Sequence, residues 1–64
     1  MLHVDEEMYT PAEVAEYLKV DIRTVYRWIR GEEMDAIQFG REYRISENDL
    51  RKFLESHRRK GSSN

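Results

Sequence analysis

The sequence predicts one small domain that is mainly α-helical and carries a β-hairpin, in the order helix, turn, helix, hairpin, helix. Three observations carry that prediction. Three helix starts share one plan, a capping side chain at Thr10, Asp21 and Ser46 flanked by a pair of apolar residues. Only Lys19, Val20 and Asp21 separate the first two helices. Between the second and third, two short runs rich in β-branched and aromatic residues flank Gly40.

The first helix is expected over about Pro11 to Leu18. Thr10-Pro11-Ala12-Glu13 places a hydroxyl acceptor at the cap, proline at the first helical position and a carboxylate at the third, which is a capping box. Tyr9 and Val14 can close over it as a hydrophobic staple. Asp21 caps the second helix, about Ile22 to Arg30, with Val20 and Val25 as the staple pair and Gly31 as the terminator. Ser46 caps the third, with Asp49 at its third position and Ile45 and Leu50 as the pair; Leu50, Phe53, Leu54 and His57 then follow at helical spacing. That helix is expected to be near 12 residues long, too short for a long dimerising coiled coil.

Ala36-Ile37-Gln38-Phe39 and Tyr43-Arg44-Ile45, joined by Gly40-Arg41-Glu42, read as a hairpin with glycine in its turn. A lone hairpin is marginal in water, so this one must lean on the helices through Ile37, Phe39, Tyr43 or Ile45. Residues 1–8 are expected to be a flexible acidic start, residues 9–58 the folded domain and residues 59–64 a flexible tail, either a linker or an end.

Sixty-four residues hold one domain and one modest core, not a cleft enclosed between two lobes. The absence of cysteine removes disulfides and thiolate zinc sites, leaving packing and helix capping to supply stability. No run approaches a membrane span, and the start MLHVDEEM is acidic where a signal peptide is basic and then apolar, so a cytoplasmic protein is expected. His3 and His57 are the two histidines and lie far apart in the chain, which gives no metal-ligand spacing. Ser46, Asp49 and His57 are better explained as a cap, a first-turn acid and a helix border than as a hydrolytic set, and there is no glycine-rich phosphate loop. No catalytic residue, cofactor or metal is expected, and the protein is not expected to be an enzyme.

A net charge of −2 argues at first sight against a polyanionic partner. The distribution says otherwise. Residues 1–21 carry six acids against Lys19, a balance of −5, so residues 22–64 sum to +3. Arg23, Arg27 and Arg30 fall in one helix with no acid among them, ahead of an acidic patch at Glu32, Glu33 and Asp35.

Two helices joined by so short a turn cross steeply, the geometry of a helix-turn-helix, and the small Ala15 suits the crossing. On a wheel of about 100° per residue, Ile22, Val25, Tyr26 and Ile29 gather on one side of the second helix. The three arginines lie within roughly 60° of each other on another side. A helix that reads a DNA groove needs that division, an apolar side for its own domain and guanidinium forks free to reach base edges or phosphates. Thr24 borders the stripe. Trp28 lies between the two sides and is better read as a core or boundary aromatic than as a base-stacking one. The competing reading of the stripe, a solvated face with weak pairs, is not supported by local ion pairing, because no acid lies four residues from any of these arginines within the helix.

The runs Tyr9-Thr10-Pro11-Ala12-Glu13-Val14-Ala15-Glu16-Tyr17-Leu18, Thr24-Val25-Tyr26-Arg27-Trp28-Ile29-Arg30 and Gly40-Arg41-Glu42-Tyr43-Arg44-Ile45 resemble, in that order, the excisionase family of DNA-binding domains, relatives of the MerR-type winged helix. The resemblance covers about residues 9–57. It implies a winged helix-turn-helix whose recognition helix, about 22–30, enters the major groove. The wing, about 38–44, would lie on the backbone or in the minor groove. DNA-binding roles follow for Arg23, Thr24, Tyr26, Arg27 and Arg30 in the helix and for Arg41 and Arg44 in the wing, with Arg23, Thr24 and Arg27 placed to set specificity. The role implied is that of a recombination accessory factor or a transcriptional regulator acting on double-stranded DNA. A recombinase, another protein or further copies on DNA are the additional partners; neither a membrane nor a small-molecule ligand is expected.

Several positions depart from that family's pattern; the lysine in the turn implies either a left-handed residue at some cost or a slightly different turn, and the others remove possible phosphate contacts. Lys19 stands where the turn often has glycine or asparagine, and Glu32, Glu33, Met34 and Asp35 stand where a basic residue and proline are common. Gln38 and Glu42 occupy wing positions that are frequently basic. The alternative function is a winged helix that meets another protein without binding DNA, through its acidic face or through Met8 and Met34.

Overall fold

The computed structural model describes residues 6–59. Residues 1–5 of the expected acidic start and residues 60–64 of the expected tail lie outside them. The chain runs β1 (Met8–Tyr9), α1 (Pro11–Leu18), α2 (Ile22–Arg30), β2 (Ile37–Phe39), β3 (Glu42–Ser46) and α3 (Glu47–Ser56). Three helices with a small antiparallel sheet make this a winged helix-turn-helix. Among the described residues no helix is long and apolar enough to cross a membrane.

Each expected cap is made. Glu13 N–H donates to Thr10 Oγ1 at 3.0 Å while Thr10 N–H donates to Glu13 Oε1 at 2.9 Å, completing the capping box. Arg23 N–H donates to Asp21 Oδ1 at 2.8 Å, and Asp49 N–H to Ser46 Oγ at 3.0 Å. The third helix has ten residues, shorter than the expected length.

Both helix ends that frame α2 turn through left-handed residues that are not glycine. Lys19 has φ 59° and ψ 46°; Val20 N–H reaches Ala15 O at 2.9 Å and Lys19 N–H reaches Glu16 O at 3.3 Å. This nested pair of bonds is a Schellman motif. A lysine thus takes the left-handed position that glycine or asparagine would take at less cost. After α2 the same pair recurs, Glu33 N–H to Trp28 O at 2.9 Å and Glu32 N–H to Ile29 O at 3.1 Å. Here Glu32 takes the positive φ of 61°, whereas Gly31 has φ −85°. Gly31 ends the helix, but the left-handed turn falls one residue later than its glycine suggests.

That turn carries the next residue inward. Met34 N–H donates to Trp28 O at 3.2 Å, and the Met34 side chain is only 1 % exposed. The expectation that Met34 offers a surface contact is therefore wrong: it is core, packed with Val14, Ala15, Val25, Ile29, Ile45, Leu50 and Phe53. Trp28 sits half-buried against Phe53, ring centroids 4.7 Å apart, as a boundary aromatic. Ile22, placed on the apolar side of α2 by the wheel, is 37 % exposed at the helix's first turn.

The hairpin has a two-residue turn, with Phe39 paired to Glu42 and Gly40 at φ 61° in the first central position, where a primed turn requires positive φ. It is not alone. β1 pairs with the other edge of β3, Met8 opposite Ser46 and Tyr9 opposite Ile45, giving the order β1-β3-β2. Glu47 N–H donates to Glu7 O at 2.9 Å beyond the pairing. The folded body thus includes Met8, one residue earlier than expected.

Strand alternation divides the wing's two faces. Ile45 is fully buried and Tyr43 packs against the core, so that face meets the helices. Ile37 and Phe39 pair with Arg44 and Glu42 on the opposite face and are 42 % and 56 % exposed. They do not anchor the hairpin as expected; Tyr43, Ile45 and the added strand do.

Candidate nucleic-acid interface

Helix α2 holds Arg23, Arg27 and Arg30 at i, i+4 and i+7, all exposed, while Val25 and Ile29 on its other side are buried. Burial of one side fixes the direction of the other. Thr24 and Tyr26 lie half-buried at the borders.

The three arginines differ in their surroundings. Arg23 is forked onto the cap carboxylate, Nε to Asp21 Oδ1 and Nη2 to Oδ2, each at 3.0 Å. The four-residue spacing of helical ion pairs does not reveal this partner, because Asp21 lies two residues back, at the cap outside the helix. The Arg23 side-chain hydrogen bonds, then its backbone N–H, lower the Asp21 carboxyl from 3.8 to about 2, while the side-chain hydrogen bond and the charge of Asp21 raise Arg23. Arg27 has no ion pair among the described residues. Arg30 lies over the Tyr26 ring, its guanidinium carbon 5.8 Å from the centroid.

Tyr26 also meets Tyr43 of β3, centroids 6.1 Å apart and planes tilted by 59°. This contact joins α2 to the hairpin, so Arg30, Tyr26 and Tyr43 form one contiguous chain of contacts across the two elements. The sequence points to Tyr43 only as a hairpin anchor; its place two residues before Ile45, on the same strand face, is the signal that turns it toward α2. Gln38, on the same face, donates from Nε2 to Gly40 O at 3.0 Å and braces the turn. Arg41 is exposed in that turn and has no ion pair among the described residues.

Arg44 is set apart from this group. It alternates with Tyr43, so it projects from the opposite face of the wing, where Nη2 pairs with Glu42 Oε1 at 3.0 Å and Nη1 donates to Tyr43 O at 2.9 Å. Of the acidic patch, Glu33 turns toward α3, 3.9 Å from His57 Nε2. Glu32 and Asp35 instead line an open hollow of about 510 Å³ between the end of α2 and the wing, shared with Arg30, Gln38 and Tyr43.

The helix-turn-helix of α1 and α2, joined to a hairpin wing, defines the class as a winged helix-turn-helix. The model of the helix-turn-helix domain family matches residues 8–58. The chain belongs to that family, which supports DNA as its partner. Neither the comparison with curated proteins nor that with solved structures returned a match.

Proposed function

We propose that the protein binds double-stranded DNA sequence-specifically, with α2 in the major groove and the β2–β3 wing on the backbone or in the minor groove. The observation that carries this reading is the arginine stripe on the exposed side of α2, coupled to the wing through Tyr26 and Tyr43. Arg27 is the principal base-reading side chain, because its fork is uncommitted; arginine favours the O6 and N7 acceptors of guanine. Thr24 adds a hydroxyl contact. Arg23 reads bases only by exchanging its Asp21 pair for the duplex. Arg30, held against Tyr26, and Arg41 in the turn contact phosphates. Arg44 serves at the wing's far face once Glu42 is displaced.

Such a domain acts as an excisionase-like recombination accessory factor or as a transcriptional regulator. With about four phosphates neutralised per copy, the logarithmic salt slope is about −3.6, and affinity falls roughly 100-fold between about 50 and 200 mM salt. One copy then binds weakly, and cooperative neighbours or a second tethered domain supply the remaining affinity. Duplex selection followed by binding of the Arg27→Ala variant tests the reading. Loss of discrimination at one base position supports it; unchanged binding to the selected duplex contradicts it.

A second reading is favoured by Glu32 and Asp35 beside Arg30, which oppose phosphate approach at that end of α2. In it the same fold meets a protein and not DNA. Salt separates the two, because phosphate binding weakens steeply with ionic strength and an apolar interface does not.

A further inference from the structure

On a side of the domain to which α2 contributes nothing, α1, α3 and β1 frame an open groove of about 440 Å³. Its floor is apolar: Val14 and Leu50 are buried and Leu54 is half-buried. Tyr9 and Tyr17 stand beside it. Tyr17 is 68 % exposed, the largest exposure among the bulky apolar side chains of the described residues, and the core makes no use of it. An aromatic left in water beside an apolar trough is the composition of a binding site, not of a fold's interior.

Charge narrows the occupant. Glu13 and Glu47 edge the groove, and its one lining cation, Arg51, is held by Glu47 at 3.2 Å. The Tyr9 phenol is raised above its ordinary value by burial and then by nearby carboxylates, Glu47 first, in keeping with the acidic edge that Glu13 and Glu47 give the groove. A phosphate backbone is repelled here, and the protein's own basic stretch Arg58-Arg59-Lys60 has no apolar residue to fill the floor. We infer that this groove docks an amphipathic helical segment of a partner protein, with aliphatic or aromatic anchors at i, i+3 or i+4 and i+7 and with Lys or Arg along its edges.

The inference stands apart from the DNA reading, since the groove and the arginine stripe use different elements. Both surfaces can be occupied at once, which suits a protein that brings a second protein to a DNA site.

The experiment is selection from a displayed library of random peptides about 16 residues long, which span about 24 Å as a helix, on the whole protein. Peptides with apolar residues at helical spacing and net positive charge are expected. Amide shifts on binding them should be confined to residues 9–17 and 47–54. Tyr17→Ala, at an exposed position that leaves the core intact, should weaken them about tenfold, a change of about 1.4 kcal/mol. Arg27→Ala should leave them unchanged. No enriched peptide, acidic peptides, shifts on α2 or equal binding by Tyr17→Ala would each overturn the inference. Self-association abolished by Tyr17→Ala would assign the groove to a second copy and overturn it equally.

Discussion

Asp21 serves two groups with one carboxylate, the N-terminus of α2 and the guanidinium of Arg23. Asparagine caps as well as aspartate but cannot hold Arg23 as an ion pair. Asp21→Asn should therefore keep the helix cap but lose the ion pair's contribution to stability at neutral pH, while tightening duplex binding and steepening its salt slope by about one unit. Weaker binding in this variant would mean that the pair presents Arg23 to DNA instead of withholding it. The same carboxyl gives a pH signature. Its folded value of about 2 lies below the ordinary 3.8, so it stabilises the fold above 3.8, and that contribution is lost as pH falls through about 2. Thermal unfolding across that window should show a decrement that Asp21→Asn lacks; identical acid profiles would remove the assignment. Arg27→Ala should lose roughly 1–3 kcal/mol of specific binding with stability intact, as read by duplex titration beside calorimetry. The stripe was legible as a helical repeat, whereas the Asp21 clamp was not, because the pair crosses the helix boundary.

The helix ends reach into the core. Lys19 and Glu32 occupy left-handed conformations that cost a non-glycine residue about 1–2 kcal/mol, partly offset in glycine by the entropy of its unfolded chain. Glu32→Gly should accordingly raise stability by about 0.5–1 kcal/mol in denaturant unfolding; a fall would show that the turn gains more from its glutamate than its backbone loses. Val25, with no exposed surface, is a core residue of α2, and Val25→Ala should destabilise by about 1–3 kcal/mol. A variant as stable as the parent would place the core elsewhere. Caps and helices were legible because each is a local pattern of a few residues. β1 was not, since two residues show no alternation and their pairing with β3 spans most of the chain. Met34 was misread for a related reason: a Schellman turn reverses the chain at Glu32, and only that reversal carries Met34 inside. Ile37 and Phe39 look like anchors by composition, yet the register with Arg44 and Glu42 turns them outward.

At the scale of the molecule, charge is divided by side. Glu13 of α1 and Glu47 at the start of α3 edge the groove, and the arginines of α2 and Arg41 mark the other surface. A protein with net charge −2 can meet DNA only if this separation holds at short range, and screening makes the contact salt-sensitive. Glu42→Lys frees Arg44 and adds a cation to the wing, so it should raise nonspecific affinity and steepen the salt slope. No change in either would place the wing away from the duplex. The central claim, that α2 and the wing form one DNA-facing surface, is tested most directly by titrating the labelled protein with a short duplex at about 50 mM and then about 200 mM salt. Amide shifts centred on residues 22–30 and 40–44 that fade at the higher salt are the predicted result. Silence at both concentrations, or shifts centred on the α1–α3 groove, would contradict it.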